Sequence, residues 1–180
     1  MGESQAHPDY ITPEIRALIG ARAEMEAWDE VERGAIRRFV QAVMDPDPVY
    51  WDEEYARTTR YGGVVAPPMY PMYGFRFPPN TPDPLDEARH NPHCHGGSFM
   101  PRFGLPEPPV PLQRVLNGGN DVEFLALARP GDRLRAHSMI EDIYQKNGRS
   151  GPMVFIRMKI VISNQHGQVL LVNRQTSIRR

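Results

Sequence analysis

Residues 120–178 read NDVEFLALARPGDRLRAHSMIEDIYQKNGRSGPMVFIRMKIVISNQHGQVLLVNRQTSI, and this stretch decides the fold. Three compact reversal signals divide it. Arg129-Pro130-Gly131-Asp132 suits a type II turn, because proline presets the second position and glycine takes positive φ at the third. Asn147-Gly148 is a strong hairpin dipeptide, and His166-Gly167 offers a further reversal. Between the signals the chain is predicted to run as four strands, at roughly 120–128, 133–145, 152–163 and 168–178. His137 alternates with Leu134, Ala136 and Ser138, which reads as a surface histidine on a strand.

Working outward, small or apolar Ala21, Ala23, Met25 and Ala27 alternate with Arg22, Glu24, Glu26 and Trp28, the period of a half-exposed first strand. Ile36, Phe39, Val40 and Val43 then fall at helical spacing, with Arg37, Arg38 and Gln41 on the other side, so an amphipathic helix is predicted from about Arg33 to Val43. Thr12-Pro13-Glu14 through Gly20 has an N-cap, a proline at the first helical position and a glycine stop. Asp52 can cap a second short helix, Glu53 to about Thr59, before Gly62-Gly63 breaks the pattern. The expected class is α+β: a five-stranded antiparallel sheet wrapped around a central helix, the hot-dog arrangement, with the core helix near Met69–Phe75.

Residues 76–112 carry prolines at 78, 79, 82, 84, 92, 101, 106, 108, 109 and 111, which exclude long helices and central strands. They read as a loop insertion within one domain spanning residues 1–180, since a chain of this length fits a single domain. The loop holds His90, His93, Cys94 and His95, the cluster with metal-ligand character. It lacks the paired spacings that zinc sites use, so a solvated loop is the favoured reading and no metal is expected. Formal net charge is −1, from 21 Lys and Arg against 22 Asp and Glu, with the signs interspersed, and no electrostatic footprint for nucleic acid or an anionic membrane stands out. No run approaches a membrane span, no apolar leader opens the chain, and the single cysteine, Cys94, agrees with a reducing compartment. A cytoplasmic protein is the expectation.

The stretch Phe39-Val-Gln-Ala-Val-Met-Asp45-Pro-Asp-Pro48-Val-Tyr50, followed by Asp52-Glu-Glu-Tyr-Ala56 and Tyr61-Gly-Gly-Val-Val-Ala-Pro-Pro68-Met69, resembles the MaoC-like hydratases, the R-specific enoyl-CoA hydratases. Gly118-Gly119-Asn120-Asp-Val-Glu-Phe124 with Arg129-Pro-Gly-Asp132 is similar to their second-strand region, particularly in the subgroup like fatty-acid-synthase dehydratase domains. The resemblance spans about residues 12 to 178 and implies the same hot-dog fold. It further implies an acyl-CoA or acyl-carrier-protein thioester as ligand and no cofactor.

In catalytic members of that family the motif runs Gly-Asp-x-Asn-Pro-(Leu/Ile)-His. The resemblance implies that its aspartate and histidine activate the water added to an enoyl thioester, while a glycine amide at the start of the core helix polarises the thioester carbonyl. Here Asp45 and Pro48 match, Met44 and Asp47 replace the glycine and asparagine, and Tyr50 stands in the histidine's place. The family's His-Gly-Met falls on Pro67-Pro68-Met69, and proline has no backbone N–H to give. A positioned acid or base contributes roughly 10²–10⁴ in rate and one oxyanion donor roughly 10²–10³, so the double loss leaves little activity. A tyrosine of pKa about 10 is protonated at neutral pH and is no base, though it can donate a hydrogen bond.

The resemblance therefore implies the degenerate half of a heteromeric hydratase or dehydratase, whose partner hot-dog subunit carries the working Asp/His pair. A homodimer using Asp45 and Tyr50, and a non-catalytic thioester-binding module, stand as alternatives. Pro68, Met69, Tyr70, Met72, Tyr73, Gly118, Gly119 and Asn120 are the expected substrate-binding positions. Asp45 in Asp-Pro-Asp-Pro is favoured as turn chemistry over a surviving catalytic carboxylate, and Tyr50 as a packing residue. Met69, Tyr70, Met72 and Tyr73 suit plain core and an acyl channel equally. Arg129 and Arg133 flank a turn, where solvated charge is favoured over a phosphate contact.

Overall fold

The computed structural model describes residues 8–76, 80–82, 86–90, 100–149 and 151–180. Thr12 caps α1 (Pro13–Ala17) by accepting from the Ile15 amide, and the chain then enters β1 (Arg22–Glu26). α2 (Arg33–Val43) has the predicted bounds and buries Ile36 and Val40. Asp52 caps α3 (Glu53–Thr58) on two amides, α4 is the single turn Tyr70–Tyr73, and α5 covers Asp86–His90. β2 (Val115–Phe124), β3 (Arg135–Gly148), β4 (Gly151–Ser163) and β5 (Val169–Arg179) complete an antiparallel five-stranded sheet in the order β1-β3-β4-β5-β2. This is the predicted hot-dog fold.

The inner face of the sheet explains the strand order. Leu134 just before β3, Ala136 and Ile140 of β3, and Val154, Ile156, Met158, Ile160 and Ile162 of β4 are all buried, so the two most apolar strands lie side by side in the middle. One half of that face packs under α2 and α4, in a cluster with Val31, Val49, Val65, Tyr70, Met72 and Phe75. The other half packs under α1 and the segment from Met100 to Leu112, with Ile11, Ile15, Met100 and Leu105. Ser138 also points inward, its hydroxyl donating to the carbonyls of Phe103 (2.8 Å) and Ala23 (3.2 Å), whereas His137 is exposed as expected.

Three boundaries differ from the sequence reading, each for a local reason. The second strand spans 115–124 rather than 120–128, because at Leu125 the chain leaves the ladder: the amides of Leu125 and Ala126 both donate to the Leu170 carbonyl, and the Ala128 carbonyl accepts instead from Ala66. The hairpin reversal falls beyond Asn147-Gly148, which pair with Pro152 and Gly151 as ladder residues, and Gly151 is the glycine at positive φ (+111°). The core helix is a single turn, Tyr70–Tyr73, instead of Met69–Phe75, and its cap Gly74 lies where the chain presses on Leu134. A Cβ at residue 74 would stand 2.9 Å from the Leu134 Cδ1. The Arg129–Asp132 turn forms as predicted, with Gly131 at φ +88° and the Asp132 amide donating to the Arg129 carbonyl (3.0 Å).

Candidate functional site: the Asp45–Tyr50 turn beside the core helix

α2 ends at Met44, which adopts left-handed backbone (φ 56°) and throws the chain into the Asp45–Tyr50 turn. The turn is held by its own acids. Asp45 Oδ1 accepts from the Asp47 amide (3.1 Å), and Asp47 Oδ1 accepts from the Val49 amide (3.0 Å), capping the 3₁₀ turn Pro48–Tyr50. Asp45 and Tyr50 are both half-buried. Burial first, then the negative charges of Asp45 and Asp47, pushes the Tyr50 phenol above its usual value. A phenol so placed stays protonated at neutral pH and acts as a hydrogen-bond donor.

The start of the core helix lies against this turn. The Val65 amide donates to the Val49 carbonyl (3.4 Å) and the Ala66 amide to the Ala128 carbonyl (2.8 Å), so the segment leading into Pro67-Pro68-Met69 is clamped between the motif turn and the end of the second strand's extension. Val64, Val65, Ala66 and Pro67 are buried. Pro68 carries no hydrogen on its nitrogen, and the next amide to be used is that of Tyr70, which closes the helical turn on the Pro67 carbonyl (2.9 Å).

α4 divides the expected channel residues. Tyr70 and Met72 are buried in the core, at 4% and 8% exposure, while Met69 and Tyr73 are exposed at 39% and 41%. Phe39 of α2 meets both tyrosines, with ring centroids 5.6 Å from Tyr70, edge to face, and 5.5 Å from Tyr73. Beside them lies a cavity of about 190 Å³ lined by Tyr70, Tyr73, Arg38, Arg76, Glu32 and Gly74, among others. Burial pushes the Tyr70 phenol up, Arg76 and Arg38 pull it down, and Glu32 and Asp29 raise it. Phe39, Arg38 and Arg76 were not singled out as site residues from sequence, although the phase of α2 places Phe39 on its apolar side.

Gly118, Gly119 and Asn120 lie elsewhere, on β2 at the sheet edge, and the structure does not bring them to α4. Gly118 is the bulged residue of the β2–β5 ladder, and Gly119 (φ +123°) donates its amide to Asn117 Oδ1 (2.9 Å). They border a shallow hollow of about 370 Å³ with Tyr144, Arg157, Arg174 and Thr176. Among the described residues β2 pairs only with β5, which leaves its other edge open, and Leu116, Phe124 and Leu125 are exposed at 43%, 47% and 54%. Arg129 donates to the Tyr61 carbonyl (2.7 Å) and Arg133 is exposed. His93, Cys94 and His95 lie outside the described residues; His90 is exposed at the end of α5. No helix among the described residues is long and apolar enough to cross a membrane.

Similarity to known proteins agrees with this architecture. A UPF0336 protein of Streptomyces avermitilis is 33% identical over 114 residues, 63% of this chain and 63% of that relative, so the match spans less than two thirds of the relative's length. The ChsH1-ChsH2 complex from Mycobacterium tuberculosis superposes with a TM-score of 0.64 at 19% identity, covering 92% of this chain and 90% of that one. The HadBC (3R-hydroxyacyl-ACP dehydratase) complex from the same organism gives 0.60 at 19% identity, covering 89% and 96%. The family model described as "FAS1-like, dehydratase domain region" matches residues 17–172. With the sheet, the core turn and the motif position all in place, the chain belongs to the FAS1-like dehydratase-domain family, among the MaoC-like hot-dog proteins.

Proposed function

We propose that this chain is the substrate-shaping subunit of a heteromeric MaoC-like enoyl-CoA hydratase or 3-hydroxyacyl-thioester dehydratase, and that a second hot-dog subunit with an intact Asp/His motif performs the chemistry. The observation that carries this reading is the pairing of two losses at one place. Tyr50, a protonated phenol, stands where the family's imidazole base would act, and Pro68, without an N–H, stands where its oxyanion donor would point. The Val65–Val49 hydrogen bond holds the two positions in one local unit.

In this reading Met69 and Tyr73, exposed on α4, line the acyl channel with Tyr70 and Met72 behind them. The open edge of β2, with Gly118–Asn120 and the exposed Leu116, Phe124 and Leu125, receives the partner subunit. Residues 1–180 act as one hot-dog unit, and the single cysteine and near-neutral charge support a cytoplasmic setting.

The test is hydration of a panel of enoyl-CoA thioesters by the purified chain, by a hot-dog partner carrying Gly-Asp-x-Asn-Pro-x-His, and by the two mixed. Activity confined to the mixture is the expected result. Turnover by this chain alone, abolished by Asp45→Ala, would replace the reading with a homodimeric enzyme using Asp45 and Tyr50. Thioester binding that no partner converts to turnover would leave a binding module.

A further inference from the structure

The inner face of the sheet is apolar on β3 and β4 but not on β5. Five inward positions of β5 are Leu171, Asn173, Gln175, Ser177 and Arg179, each directly opposite an inward residue of β4: Ile162, Ile160, Met158, Ile156 and Val154. After Leu171 the row is polar throughout, and Asn173 is 1% exposed. On the other side of β5 the opposed residues are Val122, Asn120, Asn117 and Val115 of β2, of which Asn117 and Asn120 are exposed. A polar row thus lies between the apolar core and the open inner face of the edge strand.

Two atoms of that row lack what burial demands. Asn173 Nδ2 donates to Asn120 Oδ1 (3.2 Å), which fixes the amide so that Asn173 Oδ1 points away from it, and this oxygen has no donor among the described residues. Gln175 Oε1 is likewise sealed from solvent without a donor. Buried acceptors in folded proteins are nearly always satisfied, and those that are not call for an explanation such as a ligand or a water. Both groups here are carbonyl oxygens, so what is missing is an O–H or N–H donor. They sit two residues apart on one strand face, about 7 Å along the strand, against Ile160 and Met158. The row begins two residues from Leu171, which packs in the same cluster as Tyr70 and Met72 of α4.

We propose that Asn173 and Gln175 form a hydrogen-bond-accepting subsite in the floor of the ligand channel, which takes an O–H or N–H donor of a chain-like thioester. This rests on the acyl-thioester reading above and adds the chemical character of the ligand. Gln175 is half-buried and pairs with exposed Asn120, so a slender ligand running along β2 reaches Gln175 first and Asn173 one position further in, displacing the cover over the two sealed oxygens as it binds. The donors can come from a hydroxyl on the acyl chain or from the two amides of a pantetheine arm.

The experiment uses this chain together with its catalytic partner and measures the affinities of dodecanoyl-CoA and of a set of monohydroxylated dodecanoyl-CoA esters by calorimetry. It is run on the wild type, on Gln175→Met, and on Asn173→Leu; the half-buried Gln175 gives the variant least able to disturb folding. A single hydrogen bond to a buried acceptor corresponds to about 3–10-fold in affinity. The expected result is that at least one hydroxylated ester binds the wild type by that factor more tightly than dodecanoyl-CoA, and that the preference disappears in Gln175→Met. An equal weakening of every ester in the variants assigns the donor to the pantetheine arm and supports the same subsite. Unchanged affinities in both variants overturn the inference while leaving the function reading intact, and so does a structure of the complex in which a water or a partner side chain alone satisfies the two oxygens. Failure of the wild-type mixture to bind any ester overturns both.

Discussion

The Val65 amide donates to the carbonyl of Val49 at 3.4 Å, tying the turn that ends in Tyr50 to the segment that enters Pro68. Under the proposed function, the base and the oxyanion donor that Tyr50 and Pro68 would fail to provide thus belong to one hydrogen-bonded local unit. Restoring only one of them should do little.

Tyr50→His is therefore expected to leave the isolated chain without measurable hydration of crotonyl-CoA, because the thioester carbonyl still meets Pro68. Tyr50→His with Pro68→Gly supplies both the imidazole and an amide. Since the two effects are worth roughly 10²–10⁴ and 10²–10³ in rate, the double variant should rise above the single ones by at least about 10². Steady-state absorbance of the enoyl thioester checks it; equal activity in the single and double variants would show that Pro68 does not occupy the oxyanion position.

The environment of Tyr50 sets a pH dependence. Burial and the charges of Asp45 and Asp47 raise its folded pKa above the unfolded value of about 10. A raised folded pKa means that the protonated phenol is favoured by folding, so its contribution to stability is fully present below pH about 10 and is lost as pH rises through the folded value. Ultraviolet titration should show two phenols, Tyr50 and Tyr70, ionising later than an unperturbed tyrosine, and Asp45→Asn should bring the Tyr50 step alone earlier. A Tyr50→Phe protein whose alkaline titration is identical to the wild type would sink this assignment.

Much of the fold was legible because local chemistry and tertiary role agree. Arg129-Pro-Gly-Asp132 forms the turn its residues dictate, and α2 begins and ends where its apolar spacing does. Asp45 and Asp47 cap amides two residues on, which the Asp-Pro-Asp-Pro pattern already suggested. The second strand was displaced because Leu125–Ala128 continue an apolar pattern while their hydrogen bonds go to Leu170 and Ala66, partners that periodicity cannot name. Asn173 and Gln175 were missed although a signal exists: in VLLVNRQTSIR polar residues occupy the inward phase of a strand whose neighbour, VFIRMKIVI, is apolar at every inward position. Which phase faces inward becomes visible only once the two strands are paired.

Phe39 is the side chain through which α2 holds the single turn of α4, meeting Tyr70 edge to face and Tyr73 at a tilt. Phe39→Ala removes a half-buried ring and both aromatic contacts, for an expected loss of about 2–3 kcal/mol, below the range for a fully buried phenylalanine. Urea unfolding should show the midpoint falling at unchanged slope. Phe39→Leu, which keeps most of the volume, should recover more than half of the loss.

The open edge of β2 gives the last expectation. Phe124 faces inward opposite Leu171 and is exposed, and Leu125 beside it is more so. A strand end with unpaired backbone and two exposed apolar side chains is a pairing surface, and a charge placed there must be desolvated if a second sheet docks. Phe124→Glu should leave the thermal transition of the isolated chain within a few degrees, since little buried area is lost. It should weaken association with the partner subunit, or self-association where the chain pairs with itself, by at least about 10-fold, because an uncompensated buried carboxylate costs well over 1.4 kcal/mol. Light scattering across a dilution series reads the effect. A control charge on the far edge of the sheet at Ala23, which packs beside Gly104, would confound stability, so Arg22→Glu, exposed on β1, is the matched variant and should leave association unchanged. If both charges weaken association equally, the partner does not dock on β2 and the edge needs another account.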